Sequence, residues 1–239
     1  MNQYEAVLIT LERLGGQATL GELYREVLKI KDCQWKTKTP FASIRRIVQT
    51  HKSIFRIRPG LWALESYRHR LGLEKKSVDL VKDNEINHSY YQGLVTIIGN
   101  LKGFQTFIPN QDKNKNFVNK SLNEIRTMKE LPLFSYPSLV KRSSTVDVIW
   151  FNQRIMPDSF FEIEYSTDIQ SSLLKFFDLQ DFNARMFIIA DKVRESEFKH
   201  KVELKAFTPI RERIKFLDYD NLVKQYELEI FRSEAPIFL

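Results

Sequence analysis

Thr145-Val-Asp-Val-Ile-Trp-Phe151 and Ser159-Phe-Phe-Glu-Ile-Glu-Tyr165 decide the reading of this chain. Both runs are rich in β-formers, and they carry Asp147, Glu162 and Glu164 among apolar neighbours. Side chains alternate along a strand, so Glu162 and Glu164 share one face while Phe161, Ile163 and Tyr165 share the other. A carboxylate set among apolar residues is costly unless something pairs with it. Three carboxylates converging at the ends of two adjacent strands repel one another. A divalent cation relieves that repulsion, and hard oxygen ligands suit Mg²⁺ or Mn²⁺. The plainer alternative is a surface hairpin whose acids are salt-bridged.

The flanking text extends the pattern. Met156-Pro157-Asp158-Ser159 reads as the turn between the two strands. Tyr165 to Phe182 reads as strand end, cap and helix, with Ser166 or Thr167 as the cap and Asp168 in the first turn. Ile169, Leu173, Phe176 and Phe177 give the helix an apolar stripe. Met186-Phe-Ile-Ile-Ala190 reads as a buried strand, so strand, helix and strand predict a right-handed parallel crossover. Upstream, Tyr91, Leu94, Val95, Ile98 and Leu101 predict a helix over 88–101, ended by Gly103. Phe104 to Pro109 alternates as a strand. Residues 111–119 read as a polar loop whose Lys113 and Lys115, with Lys120, are placed to track a phosphate backbone.

These residues resemble the PD-(D/E)xK nuclease superfamily, which has the restriction-endonuclease-like fold. Asp147 matches the first acid and Glu162 the second. Glu164 stands where the motif usually has Lys, a departure that resembles some type II restriction enzymes. Pro157-Asp158 lies too close to Glu162 to be the first half of the motif. The Glu162-Ile-Glu-Tyr-Ser166 segment also looks like that of restriction-endonuclease-like proteins that carry an N-terminal winged helix. The resemblance implies a metal site of Asp147, Glu162 and the backbone carbonyl of Ile163, holding Mg²⁺ or Mn²⁺. It makes Asp147, Glu162 and Glu164 the expected catalytic residues, with Glu164 orienting water or holding a second metal. Lys175 and Gln170 are the expected supporting residues: Lys175 is a source for the positive charge missing at position 164, and Gln170, nearer the helix start, is placed to touch the site or DNA.

The first 66 residues predict three helices and a hairpin. Tyr4 to Leu14 forms the first helix, stopped by Gly15-Gly16. Thr19 and Glu22 form a capping box for the second, whose apolar residues are Leu20, Leu23, Val27, Leu28 and Ile30. Thr39 caps the third, Pro40 takes its first position, and Phe41, Ile44, Ile47 and Val48 make its buried face. Ile54 to Arg58, Pro59-Gly60 and Leu61 to Leu64 predict the hairpin. This is the element set of a winged helix-turn-helix, and Thr39-Pro-Phe-Ala-Ser43 with Gly60-Leu-Trp-Ala-Leu64 resembles the HARE-type winged helix. Between residues 33 and 65 lie Lys36, Lys38, Arg45, Arg46, Lys52, Arg56 and Arg58 against the single acid Glu65. Ser43, Arg46, Gln49 and Thr50 are expected on the outer side of the third helix, where Arg and Gln can meet base edges. The lysines suit phosphates. A basic solvated face, or a winged helix used for protein contacts, is the competing reading.

The expected fold class is therefore two-domain, α+β followed by α/β. A winged helix-turn-helix spans 1–66, a charged linker 67–85, and a restriction-endonuclease-like mixed sheet flanked by helices 86–239. The net charge of +7 favours polyanionic partners, double-stranded DNA first among them. One cysteine, Cys33, excludes an intrachain disulfide and a Cys-rich zinc site. His51, His69, His88 and His200 have no zinc spacing and are read as surface or core residues. Glu124 is read as lying on a solvated helix face. No phosphate-cradling or dinucleotide glycine pattern is present. Met1-Asn-Gln-Tyr-Glu5 lacks a secretory signal's features and no apolar run matches a membrane span, so the cytoplasm is the expected location. The function expected is Mg-dependent cleavage of DNA in a restriction or defence setting. Cutting both strands needs two active centres, which suits a homodimer. The alternative is a DNA-binding regulator, or an inactive nuclease-fold subunit of a defence or repair complex.

Overall fold

The computed structural model describes residues 1–73, 80–166 and 168–234, with the side chains of 80–85 excepted. Contacts divide the chain into two compact units, residues 1–78 with 227–239, and residues 79–226.

In the first unit, α1 (Gln3–Arg13) starts at an Asn2–Glu5 capping box and buries Ala6, Val7, Thr10 and Leu11. Gly15 and Gly16 follow at φ 80° and 89°. A Cβ on Gly16 would lie 2.1 Å from the Tyr67 ring, so only glycine fits this reversal. The reversal launches β1 (Gln17–Thr19), a strand too short to announce itself in the sequence. The Thr19–Glu22 capping box starts α2 (Leu20–Val27). That helix stops at Val27, and Leu28, expected in its apolar set, is 38% exposed.

Pro40 opens α3 (Pro40–Thr50). Thr39 is its N-cap residue, but no side-chain cap bond forms; the Thr39 backbone N–H instead donates to Thr37 Oγ1 at 3.1 Å. Ile44 and Val48 are buried, whereas Phe41 and Ile47 are only half-buried. The hairpin β2 (Ile54–Arg58) and β3 (Leu61–Leu64) turns at Gly60. With β1 it forms an antiparallel sheet in the order β1-β3-β2.

The second unit opens with α4 (Leu80–Leu101), which begins inside the stretch expected as linker. Then come β4 (Gln105–Phe107), the small hairpin β5 (Asn116–Phe117) and β6 (Lys120–Ser121), α5 (Leu122–Ile125) and α6 (Pro137–Ser143). The expected polar loop thus contains a strand, and within it Lys115 is held by Asp112 at 2.7 Å. Glu124 caps α5 through Ser121 and is exposed. The remaining elements are β7 (Val148–Phe151), β8 (Pro157–Glu164), α7 (Ile169–Asp178), β9 (Arg185–Ala190), α8 (Glu195–Val202), β10 (Ile214–Asp218) and α9 (Tyr219–Glu234). The last turns of α9 group with the first unit, so residues from 227 onward fall outside the C-terminal domain expected to run to 239.

Five strands form a mixed sheet in the order β10-β9-β8-β7-β4. The β4–β7 and β7–β8 pairs are antiparallel, and the β8–β9 and β9–β10 pairs are parallel. The two parallel pairs are each joined through a helix, as parallel strands require. Phe151, Phe160, Met186 and Ile188 from the sheet pack with Ile169, Leu173 and Phe176 of α7 and Phe198 of α8. Helix α4 lies close to β4 and β7. A Cβ on Gly99 would stand 2.5 Å from Trp150 Nε1. The turn before β8 is Asn152 to Ile155, not residues 156–159. Asn152 Oδ1 accepts from the backbone N–H groups of Arg154 and Met156. Pro157 is then the first strand residue, where its missing N–H is tolerated, and Asp158 pairs with Arg185. No described helix is long and apolar enough to cross a membrane.

Candidate active site

Asp147 sits one residue before β7, and Val148 pairs with Phe161 across the antiparallel ladder. Continuing that register by one residue sets Asp147 opposite Glu162. Two residues further along β8, Glu164 returns to the same face. Glu162 and Glu164 are 2% and 4% exposed, so all their charge must be answered inside the protein.

The contacts around the three acids come from three helices and from the backbone of β8. From α7, Lys175 Nζ lies 2.8 Å from Glu162 Oε2 and donates to the Thr145 carbonyl at 3.0 Å. Ser172, one turn earlier, donates to Glu162 Oε2 at 3.0 Å and is hydrogen-bonded to Glu164 Oε1. One hydroxyl proton serves one acceptor at a time, and Lys175 also meets Glu162 Oε2. From α4, His88 Nε2 stands 3.1 Å from Asp147 Oδ2. The Ile163 backbone N–H donates to the same oxygen at 2.7 Å. Gln92 donates to the Asp147 carbonyl at 3.1 Å. Tyr219 at the start of α9 donates to the Glu164 carbonyl at 3.2 Å, and its ring stacks on Tyr91.

The two acids facing each other are driven apart in acidity. Burial, reinforced by the Asp147 charge, holds Glu162 well above the usual carboxylate range, against the pull of Lys175 and Ser172. Burial acts on Asp147 in the same sense, but His88, the Ile163 N–H and Lys175 outweigh it, leaving Asp147 below its ordinary value. Burial disfavours the charged form of Lys175, yet Glu162, Asp147 and Glu164 together raise it. His88 is likewise raised by Asp147 against its own burial.

Each facing acid has one oxygen tied and one open. Asp147 Oδ2 is bound by His88 and Ile163, and Oδ1 has no hydrogen bond among the described residues. Glu162 Oε2 is bound by Lys175 and Ser172, and Oε1 is buried without a hydrogen-bond partner. Among the described residues no group of three or more His, Cys, Asp and Glu side chains is gathered as a metal cage. Magnesium does not require one, because it is commonly held by one or two carboxylates, water and substrate phosphate. The donor chemistry present, two carboxylates with an open oxygen each, fits that kind of ion.

The structure brings together Asp147, Glu162, Glu164, Ile163 and Lys175. Gln170 is exposed, and among the described residues it makes no hydrogen bond to the three carboxylates. The helix cap is Asp168, whose side chain accepts from Gln170 N–H at 3.0 Å, rather than Ser166; Thr167 lies outside the described residues. The residues missed are His88, Gln92 and Ser172. His88, Gln92 and Thr96 recur every fourth residue as a polar stripe along one face of α4, and that stripe was the available signal.

In the first unit, Lys36, Lys38, Arg46, Gln49, Thr50, Lys52 and Arg56 are exposed, and Ser43 and Arg58 are half-buried. Arg45 is engaged within the unit. Its guanidinium pairs with Glu227 and its Nε reaches Tyr24 Oη at 3.4 Å.

Residues 71–234, which include the whole acidic site, match the family model described as the Type II restriction enzyme NmeDI C-terminal domain. The Type II restriction enzyme NmeDI of Neisseria meningitidis serogroup C is 28% identical over 141 residues, covering 54% of this chain and 40% of that protein. The chain thus spans well under half the length of this curated relative. No solved structure matches. With the family model covering most of its length and all of its clustered carboxylates, the chain belongs to the family of the Type II restriction enzyme NmeDI C-terminal domain.

Proposed function

We propose that this chain is a metal-dependent DNA endonuclease of the restriction type, with the PD-(D/E)xK arrangement at the edge of β7 and β8. The observation that carries the reading is the facing pair Asp147 and Glu162, each with one oxygen tied by the protein and one open. Asp147 Oδ1, Glu162 Oε1 and the Ile163 carbonyl would hold Mg²⁺ or Mn²⁺. Such an ion, when bound, activates water and offsets phosphate charge.

The chain's own groups do the remaining work. Ile163 N–H and His88 fix the Asp147 carboxylate, and Ser172 and Lys175 fix that of Glu162. Lys175 brings to the site the positive charge that position 164 lacks, from a helix instead of the strand, and there it opposes charge building on the phosphate. Glu164, held by Ser172, is set to orient water. The first unit is read as a HARE-type winged helix that binds duplex DNA through α3 and the β2–β3 wing, with Lys36, Lys38 and Lys52 on phosphates and Arg46 and Gln49 toward bases. Two copies would supply one centre per strand.

The test is plasmid cleavage with Mg²⁺ or Mn²⁺ and with EDTA. Metal-dependent nicking or linearisation is expected, lost in Asp147→Asn and Glu162→Gln with DNA binding kept. A second reading, a DNA-binding subunit without cleavage, draws on Glu164 standing where the motif has Lys. DNA binding by the wild type with no cleavage under either metal would favour it.

A further inference from the structure

Helix α4 grips the Asp147 position twice. His88 Nε2 meets the side chain at Oδ2, and Gln92, one turn along, donates to the Asp147 backbone carbonyl. Gln92 is fully buried and is itself held by Asp112 Oδ2 at 3.0 Å, which in turn is held by Lys115. The peptide of Asp147 is therefore pinned by a buried amide. Its side chain is a different matter. The outer torsion of an aspartate is broad, and one bond from the Ile163 N–H leaves the carboxylate free to pivot about Oδ2. The His88 ring, approaching the same oxygen from another element, removes that pivot and leaves Oδ1 as the open atom.

We propose that α4 is a two-point clamp on Asp147, in which His88 is a positioning residue that fixes the direction of Oδ1. The proposal deepens the metal-dependent reading above and rests on it. A site of this kind tolerates only small angular error, and partners that orient a ligand are commonly worth 10- to 100-fold in metal affinity. His88 itself needs no contact with the ion or the DNA to have this effect. Two bonds on one oxygen, from a helix side chain and from the neighbouring strand's backbone, define a carboxylate plane that neither defines alone.

The experiment measures Mn²⁺ binding by thermal shift and calorimetry on the full chain without DNA. It adds amide hydrogen exchange at Ile163 in metal-free protein. The variants are His88→Ala, His88→Gln and Asp147→Asn. For His88→Ala the expected results are about tenfold weaker Mn²⁺ binding or more, faster exchange at the Ile163 amide, and little change in metal-free Tm. His88→Gln, whose side-chain amide can donate to the same oxygen, is expected to recover much of both. If Asp147→Asn loses Mn²⁺ while His88→Ala binds it as the wild type does, the clamp is overturned and the metal site stands. Equal losses in His88→Ala and His88→Gln with a lowered Tm also overturn it, since they mark a packing role. If Asp147→Asn binds Mn²⁺ unchanged, the metal reading fails, and the clamp with it.

Discussion

Lys175 Nζ stands 2.8 Å from Glu162 Oε2, so the cation of this site comes from α7 while the strand position two residues after Glu162 carries a carboxylate. The pairing is not a surface ion pair of small consequence. Glu162 is 2% exposed, whereas the Lys175 side chain is 23% exposed and so reaches solvent.

Lys175→Met is therefore expected to lower metal-dependent cleavage by roughly 10²–10³-fold, the scale of losing one preorganised electrostatic group. Lys175→Arg should retain more activity than Lys175→Met. The structural cost should depend on pH. Without Lys175 the buried Glu162 prefers its proton, so the loss of stability should be small in acid and grow as pH rises. Single-turnover cleavage and denaturation across pH check both halves. Wild-type rates in Lys175→Met would remove lysine from the mechanism.

Glu162 should itself lower stability at neutral pH. Its folded-state pKa lies above the ordinary value of 4.5 because of burial and Asp147. The folded state then holds the proton more tightly than the unfolded one. Stability from this group is greatest in acid and falls as pH rises through 4.5 toward the raised value. Glu162→Gln is expected to abolish cleavage and to be at least as stable as the wild type at neutral pH. That advantage should shrink in acid. Asp147 runs the other way: its contribution is present above its ordinary value and lost as pH falls through the lowered one. Urea denaturation between pH 4 and 8 separates the two acids. A Glu162→Gln protein that is less stable at neutral pH than in acid, relative to wild type, would contradict the sign argued here.

Much of the acidic face was legible because strand alternation is rigid. Glu162 and Glu164 had to share a face whatever their partners, and the apolar run Met186 to Ala190 had to be a buried strand. The helix partners were harder to see. Periodicity in α4 is read from apolar positions, so Tyr91, Leu94 and Ile98 announced the helix while His88 and Gln92 looked like interruptions. Ser172 stands beside Ile169, Leu173 and Phe176 on the buried side of α7 and gives no local sign that it bridges two carboxylates. The turn was misplaced because Pro157-Asp158 has turn composition, whereas Asn152, through its side-chain oxygen, closes the turn earlier. Arg45 looked equivalent to Arg46 in sequence, and its commitment to Glu227 depends on a residue 182 positions away.

That difference between neighbouring arginines is testable. Arg46→Ala is expected to weaken binding to a preferred duplex by about 1–3 kcal/mol if the side chain reads a guanine. Lys52→Ala should weaken binding to all duplexes and flatten the salt dependence. Arg45→Ala should instead act mainly on stability, and Glu227→Ala should resemble it. Filter binding at several salt concentrations and thermal denaturation separate these patterns. An Arg45→Ala effect on DNA affinity as large as that of Arg46→Ala, with no change in stability, would return Arg45 to the DNA-facing set.

Glu164 gives the sharpest test, because its side chain and backbone are held by different partners. Ser172 takes the carboxylate, and the Tyr219 phenol takes the carbonyl. Its position along β8 is thus kept even when the side chain changes. Glu164→Gln preserves the Ser172 contact and removes the charge, so it is expected to leave Tm close to wild type while lowering the rate strongly. Glu164→Lys restores the usual motif on the strand, but Lys175 already occupies Glu162 Oε2. A second ammonium beside it, at a position only 4% exposed, adds a buried like charge and should lower both stability and activity. The double change Glu164→Lys with Lys175→Met moves the cation from helix to strand and should recover activity relative to Glu164→Lys alone. The three proteins are compared by cleavage rate and Tm at fixed Mn²⁺. Full cleavage by Glu164→Ala, or a Glu164→Lys protein as active as wild type with Lys175 intact, would show that position 164 takes no part in orienting water.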